Sequence, residues 1–162
     1  MTKKIFAGIG FLLFLFLSLG INSAKATIQT PQDSIKKTLP TLKEEARLQA
    51  LIDIYTLIAM GDDIQGELAA LKDLRTEAAR QGNADYEGQA RVKQVFCFYN
   101  YNMLDSLEKV LPNHLKFMAQ HGQWDYYYNS WEAKIESLLY ADRTQSALKE
   151  TQSMYDDAKD RN

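Results

Sequence analysis

Gly82 and Gly122 stand forty residues apart, as do the dipeptides Asp85-Tyr86 and Asp125-Tyr126, and Ala78, Met118 and Ala158 keep the same interval. A fixed period of roughly 20–50 residues signals stacked supersecondary units, because one such unit cannot hide its apolar side alone. Between the repeated marks the apolar residues recur at helical spacing. Leu48, Ile52, Tyr55 and Ala59 form one stripe, widened by Leu51, Ile54, Leu57 and Ile58. A second helix is expected near 64–81 through Ile64, Leu68, Leu71, Leu74 and Ala78, ending at Gly82. A third holds Val92, Val95, Phe96, Tyr99 and Met103, and a fourth Val110, Leu111, Leu115 and Met118. The fifth carries Trp124, Tyr127, Tyr128, Trp131, Ile135, Leu138 and Leu139, and the sixth Ala147, Leu148, Met154, Tyr155 and Ala158. No stretch alternates apolar and polar residues for long enough to make a sheet.

The pattern therefore predicts an all-α chain of antiparallel helix hairpins, about six helices over 41–162, stacked as a tetratricopeptide-like α-solenoid. A closed six-helix bundle would share the local period. The open stack is preferred because the first and third helices are apolar nearly all round, as a helix sandwiched between neighbours must be. Thr41 followed by Glu44 matches a capping box that would start the first of these helices. Asn83-Ala84-Asp85 supplies a cap for the third, and Pro112 should kink the fourth or delay its start. Residues 27–40 are polar with two prolines and suit a linker or a short helix begun at Pro31.

Residues 1–26 read as an address. Lys3 and Lys4 precede an uncharged run from Ile5 to Ile21 with an apolar heart at Phe11–Leu17. Ala24 and Ala26 then place small side chains before a cut at Thr27, completing the three-part pattern of a secretory signal peptide. The competing reading is an uncleaved inner-membrane anchor through residues 5–21, which lie at the short end of a membrane span. Either way the remainder is exported, periplasmic or secreted. Cleavage would remove three of the 19 basic side chains and none of the 21 acidic ones, leaving a net charge of about −5. Such a domain has no electrostatic pull toward nucleic acid or anionic lipid. With one Cys it can form no internal disulfide, so packing must hold it together.

The stretches Asp33-Ser34-Ile35-Lys36-Lys37-Thr38-Leu39-Pro40 and Glu77-Ala78-Ala79-Arg80-Gln81-Gly82-Asn83 resemble the exported N-terminal regions of bacterial two-component sensor kinases and related tetratricopeptide-like proteins. The chain lacks the Trp-x-x-Leu-Gly opening of the repeat consensus, a second membrane segment and a kinase core. The resemblance implies a periplasmic sensing arm, with a possible continuation into a kinase chain, and no chemistry in these residues. Because the sixth helix is not followed by a polar capping helix, its outer face is expected to be unprotected.

Catalytic constellations are missing from the pattern. His114 and His121 lie two turns apart without the further ligands a zinc site needs. His121 beside Gly122 reads as a cation at a helix C-terminus. Cys97, between Phe96 and Phe98, reads as a small buried hydrophobe with a raised thiol pKa. Acid pairs such as Asp62-Asp63 and Asp156-Asp157 sit at helix edges, where capping explains them. No cofactor or metal is called for.

The aromatic residues invite a sharper idea. Tyr99, Tyr127 and Trp131 fall on the apolar stripes and are expected in the core. Tyr101, Tyr128 and Tyr140, with Arg91, Asn100, Asn129 and Glu132, lie off those stripes and form a candidate face for a protein or peptide partner. The expected function is a non-catalytic interaction module acting as a ligand- or protein-binding sensing arm. The alternative is an exported enzyme on cell-wall or sugar substrates, using Glu132 or Glu136 among the aromatics.

Overall fold

The computed structural model describes residues Thr30–Arg161; the expected signal segment and the cut at Ala24, Ala26 and Thr27 lie outside the described residues. The described part is all helix. A short α1 (Pro31–Thr38) and a 3-10 turn (Leu39–Thr41) precede α2 (Glu44–Ile58), α3 (Ile64–Gln81), α4 (Ala84–Asn100), α5 (Leu104–Gln120), α6 (Trp124–Tyr140) and α7 (Thr144–Asp160). Residues 27–40 thus contain the short helix rather than only a linker. No helix among the described residues is long and apolar enough to cross a membrane.

The period is tighter than forty. From Glu44 onward a helix starts every twenty residues, and after α3 each turn between helices repeats the last. Gly82, Asn102, Gly122 and Asp142 all adopt positive φ, between 54° and 66°. In every case the same two bonds form around that residue. At Gly122 its own N–H donates to the Ala119 carbonyl at 3.3 Å, and the next N–H, of Gln123, donates to Met118 at 2.9 Å. This is the left-handed C-terminal cap that satisfies the orphan carbonyls of a helix end. Asn102 and Asp142 carry it because short polar side chains tolerate the left-handed region better than other non-glycine residues.

Helix starts are less uniform. Asp63 and Asn83 accept the N–H of Gly66 and Tyr86 on their side-chain oxygens, the latter as expected. The capping box at Thr41 and Glu44 does not form. Thr41 is drawn into the 3-10 turn, where its hydroxyl donates to the Thr38 carbonyl at 2.7 Å, and α2 begins after Lys43 without a side-chain cap. Nor does Pro112 delay α5, which starts eight residues before it at Leu104. Pro112 is exposed, so water can reach the carbonyl it leaves unbonded.

The core is strung out along the stack. Leu48 and Leu51 of α2 pack with Leu74 and Ala78 of α3 and Ala90 of α4. Val95 and Phe98 of α4 then join Leu107 and Leu111 of α5 and Ala133 of α6. Ile135 and Leu138 of α6 close on Ala147 of α7. Helix α4 gives Ala90 to one cluster and Val92, Val95 and Phe98 to the next two, so it buries side chains toward both neighbours while Asp85 and Asn100 stay exposed. Each unit leans only on its neighbours, the arrangement of a helical repeat. Helix α7 buries a single residue, Ala147, and exposes Leu148 and Tyr155 among the polar Gln145, Lys149, Gln152, Asp156 and Lys159, so its outer face is left open in part by apolar side chains.

Candidate interaction surface

Helices α2, α4 and α6 are the first members of the three hairpins, and they lie side by side. The Tyr86 hydroxyl of α4 reaches within 3.4 Å of Gln49 Oε1 on α2. Lys93 of α4 sits 5.2 Å over the Tyr55 ring of α2. Tyr99 of α4 meets Tyr140 of α6 at 6.1 Å between centroids. The forty-residue register puts equivalent positions of these helices in rows across the shared face. One row holds Glu45, Asp85 and Asp125, all exposed. The next holds the amides Gln49, Gln89 and Asn129. Toward the other end come Thr56, Phe96 and Glu136, and finally Met60, Asn100 and Tyr140.

The face is therefore mostly polar, with carboxylates along its length and its exposed rings Phe96 and Tyr140 toward one end. Tyr140 is 72 % exposed and Phe96 39 %. Phe96 stands edge-on to Tyr99 at 6.3 Å, so the three rings form one patch. Hydrogen bonding to Glu136 and then Tyr140 pushes the Tyr99 hydroxyl far above its ordinary pKa, which keeps it a neutral donor.

The candidate residues read from the sequence divide in two. Asn100, Asn129, Glu132 and Tyr140 are exposed on the first helices. Arg91, Tyr101 and Tyr128 are half-buried and tied to the protein's own groups. The Tyr101 hydroxyl donates to Glu67 Oε1 at 2.9 Å, bracing α3 against the end of α4. Tyr128 donates to Asp157 at 3.0 Å, bracing α6 against α7. Of the residues expected in the core, Tyr127 is buried, while Tyr99 and Trp131 are half-buried. Trp131 Nε1–H donates to Glu150, which Lys134 also engages.

Arg91 belongs to a polar network that the sequence reading missed. Its guanidinium grips Glu87 one turn earlier, lies 4.2 Å over the Phe117 ring, and donates to His114 Nδ1 at 3.1 Å. Nδ1 is thus an acceptor, so the ring proton sits on Nε2 and is donated to Gln94 Oε1 at 3.0 Å. Arg75 reaches the same amide oxygen at 3.4 Å. His114 is only 2 % exposed. Burial first, then the charges of Arg91 and Arg75, pull its pKa from the usual 6.5 to about 3, leaving a neutral imidazole at physiological pH. The signal was available in its spacing, since 107, 111, 114 and 118 form one inward stripe of α5.

Neither this network nor Cys97 has the makings of a reactive centre. Burial, followed by the charge of Glu67, pushes the Cys97 thiol up to about 12. Glu67, 5 % exposed, sits in the first turn of α3, where the helix dipole and Tyr101 offset its charge. His121 is exposed and its Nδ1–H donates to the Phe117 carbonyl at 2.8 Å, at the C-terminal end of α5. Among the described residues no three His, Cys, Asp or Glu side chains converge on a point that could hold a metal ion.

No protein-family model, curated protein or solved structure matches this chain.

Proposed function

We propose that this chain is a non-catalytic helical-repeat interaction module, and that its partner, a protein or peptide, docks on the face formed by α2, α4 and α6. The reading extends to an exported, periplasmic sensing arm of the two-component type, in which docking shifts the packing of neighbouring hairpins. One observation carries it. Phe96, Tyr99 and Tyr140 make an aromatic patch, with Tyr140 72 % exposed and Met60 exposed in the same row. Aromatic side chains with an apolar body and a polar tip are the anchors that partners use, and water gains by their coverage. The surroundings support a binding role, since Asn100 and Glu136 offer polar contacts beside the rings.

The test is photo-crosslinking in cells. A photoreactive residue at position 140 or 96 should give a discrete higher-mass adduct, while one at exposed Lys116 on α5 should not. Adducts of equal yield from all three positions, or from none, would discard this face.

A further inference from the structure

The exposed charges of the first helices are all of one sign. On α2, α4 and α6 every exposed charged side chain is a carboxylate: besides Glu44, these are Glu45, Asp53, Asp85, Asp125, Glu132 and Glu136. None of them makes an ion pair within the described residues. The cations of the same helices are half-buried and engaged: Arg47 by Glu77, Arg91 by Glu87, Lys93 by the Tyr55 ring and Lys134 by Glu150. The second helices, by contrast, expose both signs, Lys72, Arg80, Lys109, Lys116, Lys149 and Lys159 beside Asp73, Asp105, Asp156 and Asp160.

The carboxylates of neighbouring helices share the same rings. Glu45, Asp53 and Asp85 all raise the Tyr86 pKa, after burial, and Asp85 and Asp125 do the same to Tyr126. An open depression of about 450 Å³ lies between the last two acids, walled by Trp124 and Tyr126 and bordered by His121 and Gln123. Carboxylates beside aromatic walls suit a Lys or Arg side chain, which gains ion pairing and cation–π contact together. The Trp124 ring already receives one guanidinium, that of Arg161, at 4.1 Å.

Resting on the docking face proposed above, we infer that the partner is a basic peptide segment, with a Lys or Arg seated between Asp85 and Asp125. Its further cations follow the row to Glu45, and an apolar side chain meets the patch at Phe96 and Tyr140. The amide row, Gln49, Gln89 and Asn129, lies between and can bond the partner's backbone.

The probe is dye-labelled tetralysine, titrated into the full chain and followed by fluorescence anisotropy, with the ε-acetylated tetramer as its uncharged twin. The expected result is saturable binding of tetralysine only, weakening as salt rises from about 50 to about 300 mM. Asp85→Asn with Asp125→Asn should weaken it about fivefold to tenfold. Asp105→Asn with Asp156→Asn, on exposed carboxylates of the second helices, should leave it unchanged. Equal loss in both double variants, equal binding of the acetylated tetramer, or no binding overturns the inference. Crosslinks that persist at position 140 while tetralysine fails would retain the docking face and reject only the basic partner.

Discussion

His114 makes the stability of this protein depend on pH in a window where its carboxylates do not. In the unfolded chain its imidazole takes up a proton near 6.5, whereas in the folded chain it resists until about 3. The unfolded state therefore binds more protons between those values, and folding stability must fall as the pH falls through that window. The imidazole cannot accept a proton in place, because Nδ1 faces an Arg91 N–H and Nε2–H is committed to Gln94. Each pH unit well below 6.5 costs about 1.4 kcal/mol, so lowering the pH from about 7.5 to about 5.0 should remove about 2 kcal/mol. Carboxylates held low in the folded state, such as Glu77 at about 2, lose their contribution only as the pH drops below their unfolded value of 4.5. Urea unfolding at a series of pH values, on the wild type and on His114→Asn, separates the two effects. The variant starts less stable because the network is broken, but its stability should be nearly flat from about pH 7.5 to about pH 5.0. Curves that run parallel within about 0.5 kcal/mol would refute a buried neutral imidazole.

Other outcomes follow from single contacts. Gly88 leaves room for Gln123, whose Nε2 donates to the Ala84 carbonyl at 2.7 Å; a Cβ there would collide with Gln123 Oε1. Gly88→Ala should thus destabilise by about 1 kcal/mol alone, yet stabilise by a few tenths to about 1 kcal/mol once Gln123→Ala removes the obstacle, as measured in a thermal-denaturation double-mutant cycle. Cys97 should resist a water-soluble thiol reagent at mildly alkaline pH in the folded protein and react at once in urea, since only unfolding lifts the burial that holds its thiol at about 12. Glu77, held at about 2 first by its hydrogen bonds to Arg80 and then to Gln81, contributes above 4.5 and loses that contribution as the pH falls toward 2. Glu77→Gln should accordingly flatten the acid limb of a thermal-melting profile between those values and leave the neutral region's slope unchanged.

How much of this was legible beforehand depended on whether the cause was local. Helix boundaries around Ile64–Gln81 and Ala84–Asn100 were written in apolar spacing, in Gly82 and in the Asn83 cap, all of which act within one or two turns. The same reading stumbled at Thr41 because a neighbouring 3-10 turn competed for its hydroxyl. It placed Tyr101 and Tyr128 on a binding face because they sit off the apolar stripe. Their partners, Glu67 and Asp157, are 34 and 29 residues away on other helices, and no local pattern reveals them.

The chain's own periodicity determined that it would be a stack of helix hairpins, since 3.6-residue spacing and a left-handed turn at fixed intervals are properties of a few adjacent residues. Tertiary structure alone decided which polar groups would face one another: that His114 would lie between Arg91 and Gln94, that Tyr140 would stand in water beside Tyr99, and that the acids of α2, α4 and α6 would share one side. Charge and proton affinity depend on distances across helices and on the exclusion of water, and those exist only once the hairpins have packed.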